Sequence, residues 1–161
     1  MQIKPISAKS FIKPILLAVP YIFLVFVLLV SVAAPLLEYQ RLEVSRNFFA
    51  ITHKICNQLP TRCLFIFTSP MALCARCFAI YLSMLVVGVL TIVVKKNIFN
   101  WKLGILLMIP CLIDGSSQYL GQRLSNNGLR LFTGTLAGIG IGLIFFPLYF
   151  RFIDRVFKGG E

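Results

Sequence analysis

Apolar residues run almost without interruption through four stretches of this chain. The first lies between Lys13 and Glu38 and the second from Cys77 to Val94. The third spans Leu103 to Leu120, broken only by Asp114, and the fourth lies between Arg130 and Arg151. Each is long enough for a helix to cross a hydrocarbon core, which takes about 20 residues and roughly 17–25 at the limits. In lipid only helices and closed barrels satisfy their own backbones, and these runs are too long for barrel strands. The pattern predicts an all-α integral membrane protein, a four-transmembrane-helix bundle with a Cys-rich connection between its first two helices. The spans fall at about residues 12–37, 72–95, 102–121 and 127–151, within one membrane domain over residues 1–161. Leu37 to Leu73 is the one long connection. Its first half is too polar to span, and Leu64 to Phe67 is a short apolar patch suited to the membrane interface.

Composition agrees. Hydrophobic residues make up 58% of the 161-residue chain and charged residues 13%, against about 25% charged in an ordinary soluble domain. So few charges do not coat a water-facing surface, whereas a bilayer tolerates an apolar exterior. The formal net charge is +11. In a soluble protein that would suggest nucleic acid, but here Lys and Arg flank the apolar runs, as anchors to anionic headgroups do. Nucleic acid is therefore not an expected partner, and the lipid bilayer is.

The first run follows a basic start at Lys4, Lys9 and Lys13, and Ser31-Val32-Ala33 resembles a small-residue cleavage site. The run exceeds the about 7–15 residues of a secretory h-region, so it reads as a retained helix. Four spans put both termini on one side, with Lys4, Lys9, Lys13, Lys95, Lys96, Lys102, Arg151, Arg155 and Lys158. The other side holds Arg41, Arg46, Lys54, Arg62, Arg76, Arg123 and Arg130. The expectation is a multi-pass protein of the cell membrane with cytoplasmic termini, on a small excess of positive charge.

Cys56, Cys63, Cys74 and Cys77 crowd into one segment with the only histidine, His53, just upstream. His53-x2-Cys56-x17-Cys74-x2-Cys77 has the layout of two ligand pairs around a zinc ion, with Cys63 as a further candidate ligand. Disulfides in an oxidising compartment compete with that reading, as do inert apolar thiols. Clustering with the sole histidine argues against inert thiols. Cys111, inside the third run, reads as a packing residue.

Asp114 interrupts an apolar helix, and a carboxylate at the membrane centre costs about 2.5–3.5 kcal/mol on insertion scales, so it should face protein or water. Gln118 lies one turn on and shares its face. Asn127 and Arg130 share a face at the start of the fourth run. Gly134, Gly138 and Gly142 recur every four residues, a small-residue stripe for close helix packing. The first and third connections of a four-span protein lie on one membrane side. That topology gathers Arg76, Asp114, Gln118, Arg123, Asn127 and Arg130 with the cysteines. Arg76 or Arg130 is the expected partner of Asp114.

Ile55-Cys56-Asn57-Gln58 with Pro60 and Arg62, Cys74-Ala75-Arg76-Cys77 with Tyr81, Asp114-Gly115 with Gln118, and Asn127, Arg130, Thr133 and Gly134 together resemble a family of small predicted membrane proteins, domain of unknown function 2085. The resemblance covers roughly residues 50–140. It implies architecture and site but no activity. Asn57 stands where the family pattern has His, and Cys63 where it has Ser after Arg. If the family's Cys, His, Cys and Cys hold a metal, Cys63 or His53 completes the set here.

Three functions fit these residues. The first is a metal-stabilised membrane enzyme or binding protein for an anionic lipid-borne group. In it Cys56, Cys63, Cys74, Cys77 and His53 supply ligands to zinc, and Asp114, Gln118, Asn127 and Arg130 form the catalytic cluster. Arg76 and Arg123 bind the anion. The second is a quinone-linked thiol–disulfide oxidoreductase using the Cys-x-x-Cys pair, although all four loop cysteines lie in one connection. The third is a non-enzymatic scaffold or assembly subunit whose polar groups fasten helices.

Overall fold

A computed structural model describes residues 8–94, 100–120 and 126–158. Five helices and one small sheet make up these residues. They are α1 (Ala8–Tyr39), α2 (Val44–His53), strands β1 (Cys63–Ile66) and β2 (Ser69–Cys74), α3 (Ala75–Val94), α4 (Trp101–Tyr119) and α5 (Asn127–Lys158). Three segments are long and apolar enough to cross a membrane: Ile12–Tyr39, Ala75–Val94 and Asn127–Phe157. The α4 segment coincides with the third expected span, but Lys102, Asp114 and Gln118 dilute its 19 residues.

Two expected boundaries move. Residues 72–74 belong to β2 rather than to the second span, so α3 starts at Ala75. The last helix runs on to Lys158, past the expected end at 151. The long connection also carries more order than its polarity suggests. It folds as α2, a 3-10 turn over Pro60–Arg62, and an antiparallel hairpin that pairs Cys63 with Cys74.

Helix α5 is the hub, packing along α3 on one side and α4 on the other. The expected glycine stripe makes this possible. A Cβ on Gly134 would lie 2.6 Å from the Arg76 carbonyl oxygen. One on Gly138 would overlap both the Ser83 hydroxyl and the Ile80 carbonyl. Without side chains the two backbones approach closely, which is how helices gain contact in lipid. Helix α1 joins through two tyrosines. Tyr21 donates to the Gly88 carbonyl at 3.0 Å, and Tyr149 donates to the Leu16 carbonyl at 2.6 Å. At the terminal end of the bundle Lys13 pairs with Asp154 at 2.8 Å. The outward surfaces are greasy, as Ile15, Ile22 and Leu29 on α1 and Leu106, Leu112 and Ile113 on α4 show.

Close packing at Gly138 generates a prediction. Gly138→Leu should destabilise the bundle by at least the about 1–3 kcal/mol typical of overpacking. Gly128→Ala, whose added methyl meets only the Asn126 side chain at 3.5 Å, should be near neutral. Thermal unfolding in one detergent measures both.

Candidate functional site

The cysteine cluster forms where a strand hands over to a helix. Cys74 ends β2, and Ala75 begins α3. The Cys77 backbone N–H donates to Cys74 Sγ at 3.5 Å, so Cys74 caps the first turn of α3. The positive end of a helix favours a thiolate. Cys56 arrives from the turn after α2, and its sulfur accepts the Cys74 backbone N–H at 3.3 Å. The sulfurs of Cys56, Cys74 and Cys77 all lie within 4.8 Å of one another. Phe78 and Tyr81 pack beside them, over a buried core of Val27 and Leu73.

The position of Cys56 depends on Gln58. The Gln58 amide nitrogen lies 2.9 Å from the carbonyl oxygens of both Phe49 and Ala72, and it also donates to the Thr52 hydroxyl. It thereby fixes the turn carrying Cys56 between α2 and β2. Gln58 adopts a left-handed φ of 48° to do so. It entered the sequence reading only through the family pattern, because a hydrogen-bonded clamp leaves no periodic signal.

The thiols are electrostatically unequal. Cys56 is driven far below the ordinary thiol range, first by hydrogen bonds from the Cys74 and Cys77 thiols and then by backbone N–H groups of Cys74 and Gln58. Cys74 moves up, because its thiol donates to Cys56. Burial pushes Cys63 up to about 11. Cys63 stands opposite Cys74 in the hairpin and is fully buried, but its sulfur is not one of the close three. His53 stays outside the sulfur cluster too, with Nδ1 3.4 Å from the Cys56 carbonyl oxygen.

The polar residues form a second assembly. Arg76, between Cys74 and Cys77, makes an ion pair with Asp114. Gln118 donates to the same Asp114 oxygen at 2.9 Å and accepts from Arg130 at 3.4 Å. Arg130 also donates to the Asn127 side-chain oxygen at 3.0 Å and to the Thr61 carbonyl at 3.2 Å. Asn127 in turn donates to the Cys63 carbonyl at 3.1 Å. One connected chain therefore runs from the Cys-x-x-Cys turn through α4 and α5 back to the hairpin. Asp114 and Arg130 are buried, at 7% and 5% exposure. The Nε atoms of Arg76 and Arg130 are buried and have no hydrogen-bond partner among the described residues. Arg123 lies outside the described residues.

A family model described as "Predicted membrane protein (DUF2085)" matches residues 56–144. The chain belongs to this family. The matched segment opens on Cys56 and holds every residue of both assemblies, while leaving out α1 and His53. An uncharacterized protein of Methanocaldococcus jannaschii is 39% identical over 119 residues, 71% of this chain and 76% of its own length. An uncharacterized protein of Methanothermobacter thermautotrophicus is 38% identical over 92 residues, 56% of this chain and 83% of its own. No solved structure matches the chain.

The Arg76–Asp114 pair yields the second prediction. Asp114→Leu leaves Arg76 mostly buried and unpaired, and should cost about 3–5 kcal/mol. The double variant Arg76→Met/Asp114→Leu removes both charges and should recover most of that loss. A double-mutant cycle of unfolding midpoints measures the difference.

Proposed function

We propose that this DUF2085 member is a four-span membrane protein holding a thiolate-ligated metal ion at one membrane face, with zinc the first candidate. The observation that carries this reading is the convergence of Cys56, Cys74 and Cys77 within 4.8 Å from two separate segments. Zinc–sulfur bonds of about 2.3 Å place tetrahedral ligand sulfurs roughly 3.8 Å apart, so little contraction is needed. Thiolates suit a soft or borderline cation. The backbone N–H groups aimed at two of the sulfurs supply the outer hydrogen bonds that tune such sites. Cys63 is the first candidate for a fourth ligand, because it pairs with Cys74 across the hairpin, and directly opposed residues of an antiparallel pair carry Cβ atoms about 4.5–5.5 Å apart. His53 is the second choice, as it would have to turn away from the Cys56 carbonyl.

In this reading α4 is the fourth span, supported by its outward Ile105, Leu106, Ile109, Leu112 and Ile113. The polar assembly beside the metal carries two guanidiniums, Arg76 and Arg130, against one carboxylate, Asp114. Its surplus positive charge and two Nε donors without a partner among the described residues support contact with an anionic, lipid-borne group. Gln118 and Asn127 would orient that group, and Arg123 would add to the charge. Cytoplasmic termini remain the orientation that the loop charges favour.

One observation favours a second reading. A Cys-x-x-Cys pair at a helix N-terminus is also the arrangement of thiol–disulfide exchange, and quinone-linked redox chemistry would use Cys74 and Cys77. The third sulfur, drawn in from Cys56, weighs towards metal. A scaffold role, with the ion pair as fastener only, predicts that an Arg76→Asp/Asp114→Arg exchange restores cellular function along with folding.

Elemental analysis of the purified chain, beside a free-thiol count, separates metal from redox. One metal ion per chain and no disulfide is expected. Absence of metal with a Cys74–Cys77 disulfide would favour exchange chemistry. Cys56→Ser should abolish stoichiometric metal. The pH dependence has a definite sign. Metal binding displaces protons from thiols, so retention should fall as pH drops. In the metal-free protein Cys56, depressed in the fold, stabilises the folded state at pH values above the ordinary thiol range. That contribution is lost progressively as pH falls from the ordinary thiol range to its lowered value. Ultraviolet thiolate absorbance at about pH 6 should therefore persist in Cys63→Ser and vanish in Cys56→Ser.

A further inference from the structure

Helix α2 presents its side chains in an unusual order. Its inward line is small and polar: Ser45 and Thr52 are buried, and Thr52 is satisfied by the Phe48 carbonyl and the Gln58 amide. These hydroxyls let α2 lie close on α1 and β2. Val44, Phe48 and Ile51, with Ile55 in the turn just beyond α2, follow the i, i+4, i+7, i+11 spacing of a helical stripe. Val44, Ile51 and Ile55 of that stripe face outward along one flank, while Phe48, like Phe49 beside it, is half-buried. Val44 is 52% exposed, Ile51 46% and Ile55 40%. Arg46 and His53 occupy the other flank, both exposed. The apolar side of an ordinary surface helix would be turned into the core.

The hairpin repeats the pattern. Phe65 and Phe67 stand outward at 58% and 70% exposure. Phe67 sits in the two-residue turn with a left-handed φ of 55°, a conformation common for glycine and unusual for a bulky aromatic. Its ring stacks on Tyr39 at 5.1 Å. Tyr39 is the last residue of α1, where a membrane-crossing helix meets the headgroups and aromatic residues gather. The tip and the start of α2 at Val44 are thus both tied to the depth at which α1 leaves the hydrocarbon.

We propose that this connection is a monotopic interfacial element. Val44 and Ile51 on α2, Ile55 in the turn after it, and the Phe65–Phe67 hairpin tip seat in the headgroup–acyl boundary of the same bilayer that the long helices cross. Arg41 and Lys54, just before and just after the helix, match the charge of anionic headgroups, while Arg46 on the other flank pairs with Glu43 at 3.4 Å. An amphipathic helix with basic neighbours is the form that lies in an interface. The occupant of this apolar surface is lipid rather than a protein partner, because the surface continues from the end of a spanning helix. The cysteine cluster, one turn beyond α2, would then sit just outside the hydrocarbon.

Tryptophan depth measurements test this. The chain has one tryptophan, so Trp101→Phe supplies a silent background for Ile51→Trp and, separately, Phe67→Trp. Each protein is reconstituted in phosphatidylcholine–phosphatidylglycerol vesicles carrying bromine on the upper acyl chain. Strong quenching by brominated lipid at both positions, with little quenching by aqueous iodide, is the expected result. Iodide quenching without lipid quenching at either position would overturn the proposal. Shielding from both quenchers at either position would also overturn it, and would mean a protein contact. Gel filtration in detergent, matched to the unsubstituted chain, guards against reading misfolding as exposure.

Discussion

Arg76 leaves the first turn of α3 between two cysteines and meets Asp114 on a neighbouring helix. Much else in the structure follows from that contact. A carboxylate buried to 7% exposure in an apolar helix is tolerable only with a cation and further hydrogen bonds beside it. Arg76 supplies the charge and Gln118 a second donor, and Gln118 in turn engages Arg130. The pair, whose two halves lie 38 residues apart, joins α3 to α4, and the Gln118–Arg130 contact adds α5. The lock also fixes the start of α3, and with it the turn that holds Cys74 and Cys77.

The sulfur cluster is built on a different principle. Backbone N–H groups organise it: the N–H of Cys77 points at Cys74, and that of Cys74 points at Cys56. A strand end, a helix N-terminus and a clamped turn are rigid, so the sulfurs meet without being covalently joined. All five cysteines are free thiols. Cys63 shows what separates proximity from membership. It is directly across from Cys74, yet burial pushes its thiol up while Cys56 takes up the hydrogen bonds.

Much of this was legible in the chain because lipid makes errors expensive. The long apolar runs marked α1, α3 and α5, and the cost of a lone acid announced that Asp114 would find an arginine. The x17 gap between Cys56 and Cys74 pointed to a shared site, and their sulfurs do meet. What escaped was set by tertiary hydrogen bonds rather than by pattern. The hairpin takes residues 72–74 from the expected helix because Cys74 pairs with Cys63 across the sheet. Helix α2 is only ten residues long, too short for an apolar run to reveal, and its order comes from Thr52 and Gln58. The choice of Arg76 over Arg130 also needed coordinates, since both stand at helix mouths on the same face.

Around Arg76 and Arg130 the packing depends on the smallest side chains in the protein. With no Cβ on Gly134, α5 comes up against the Arg76 carbonyl, and with none on Gly138 it closes on Ile80 and Ser83. Helix α3 is thereby pressed onto α5, at the level where Arg130 emerges from it. Arg76 takes Asp114, and Arg130 is turned to neutral acceptors: Gln118, Asn127 and the Thr61 carbonyl. Those acceptors carry the bundle's order outward to the hairpin, because Thr61 precedes Cys63 and Asn127 binds the Cys63 carbonyl. The close approach at Gly134 thus sets α5 against the first turn of α3 that carries Arg76, and Arg130 on the same helix holds the strand opposite Cys74.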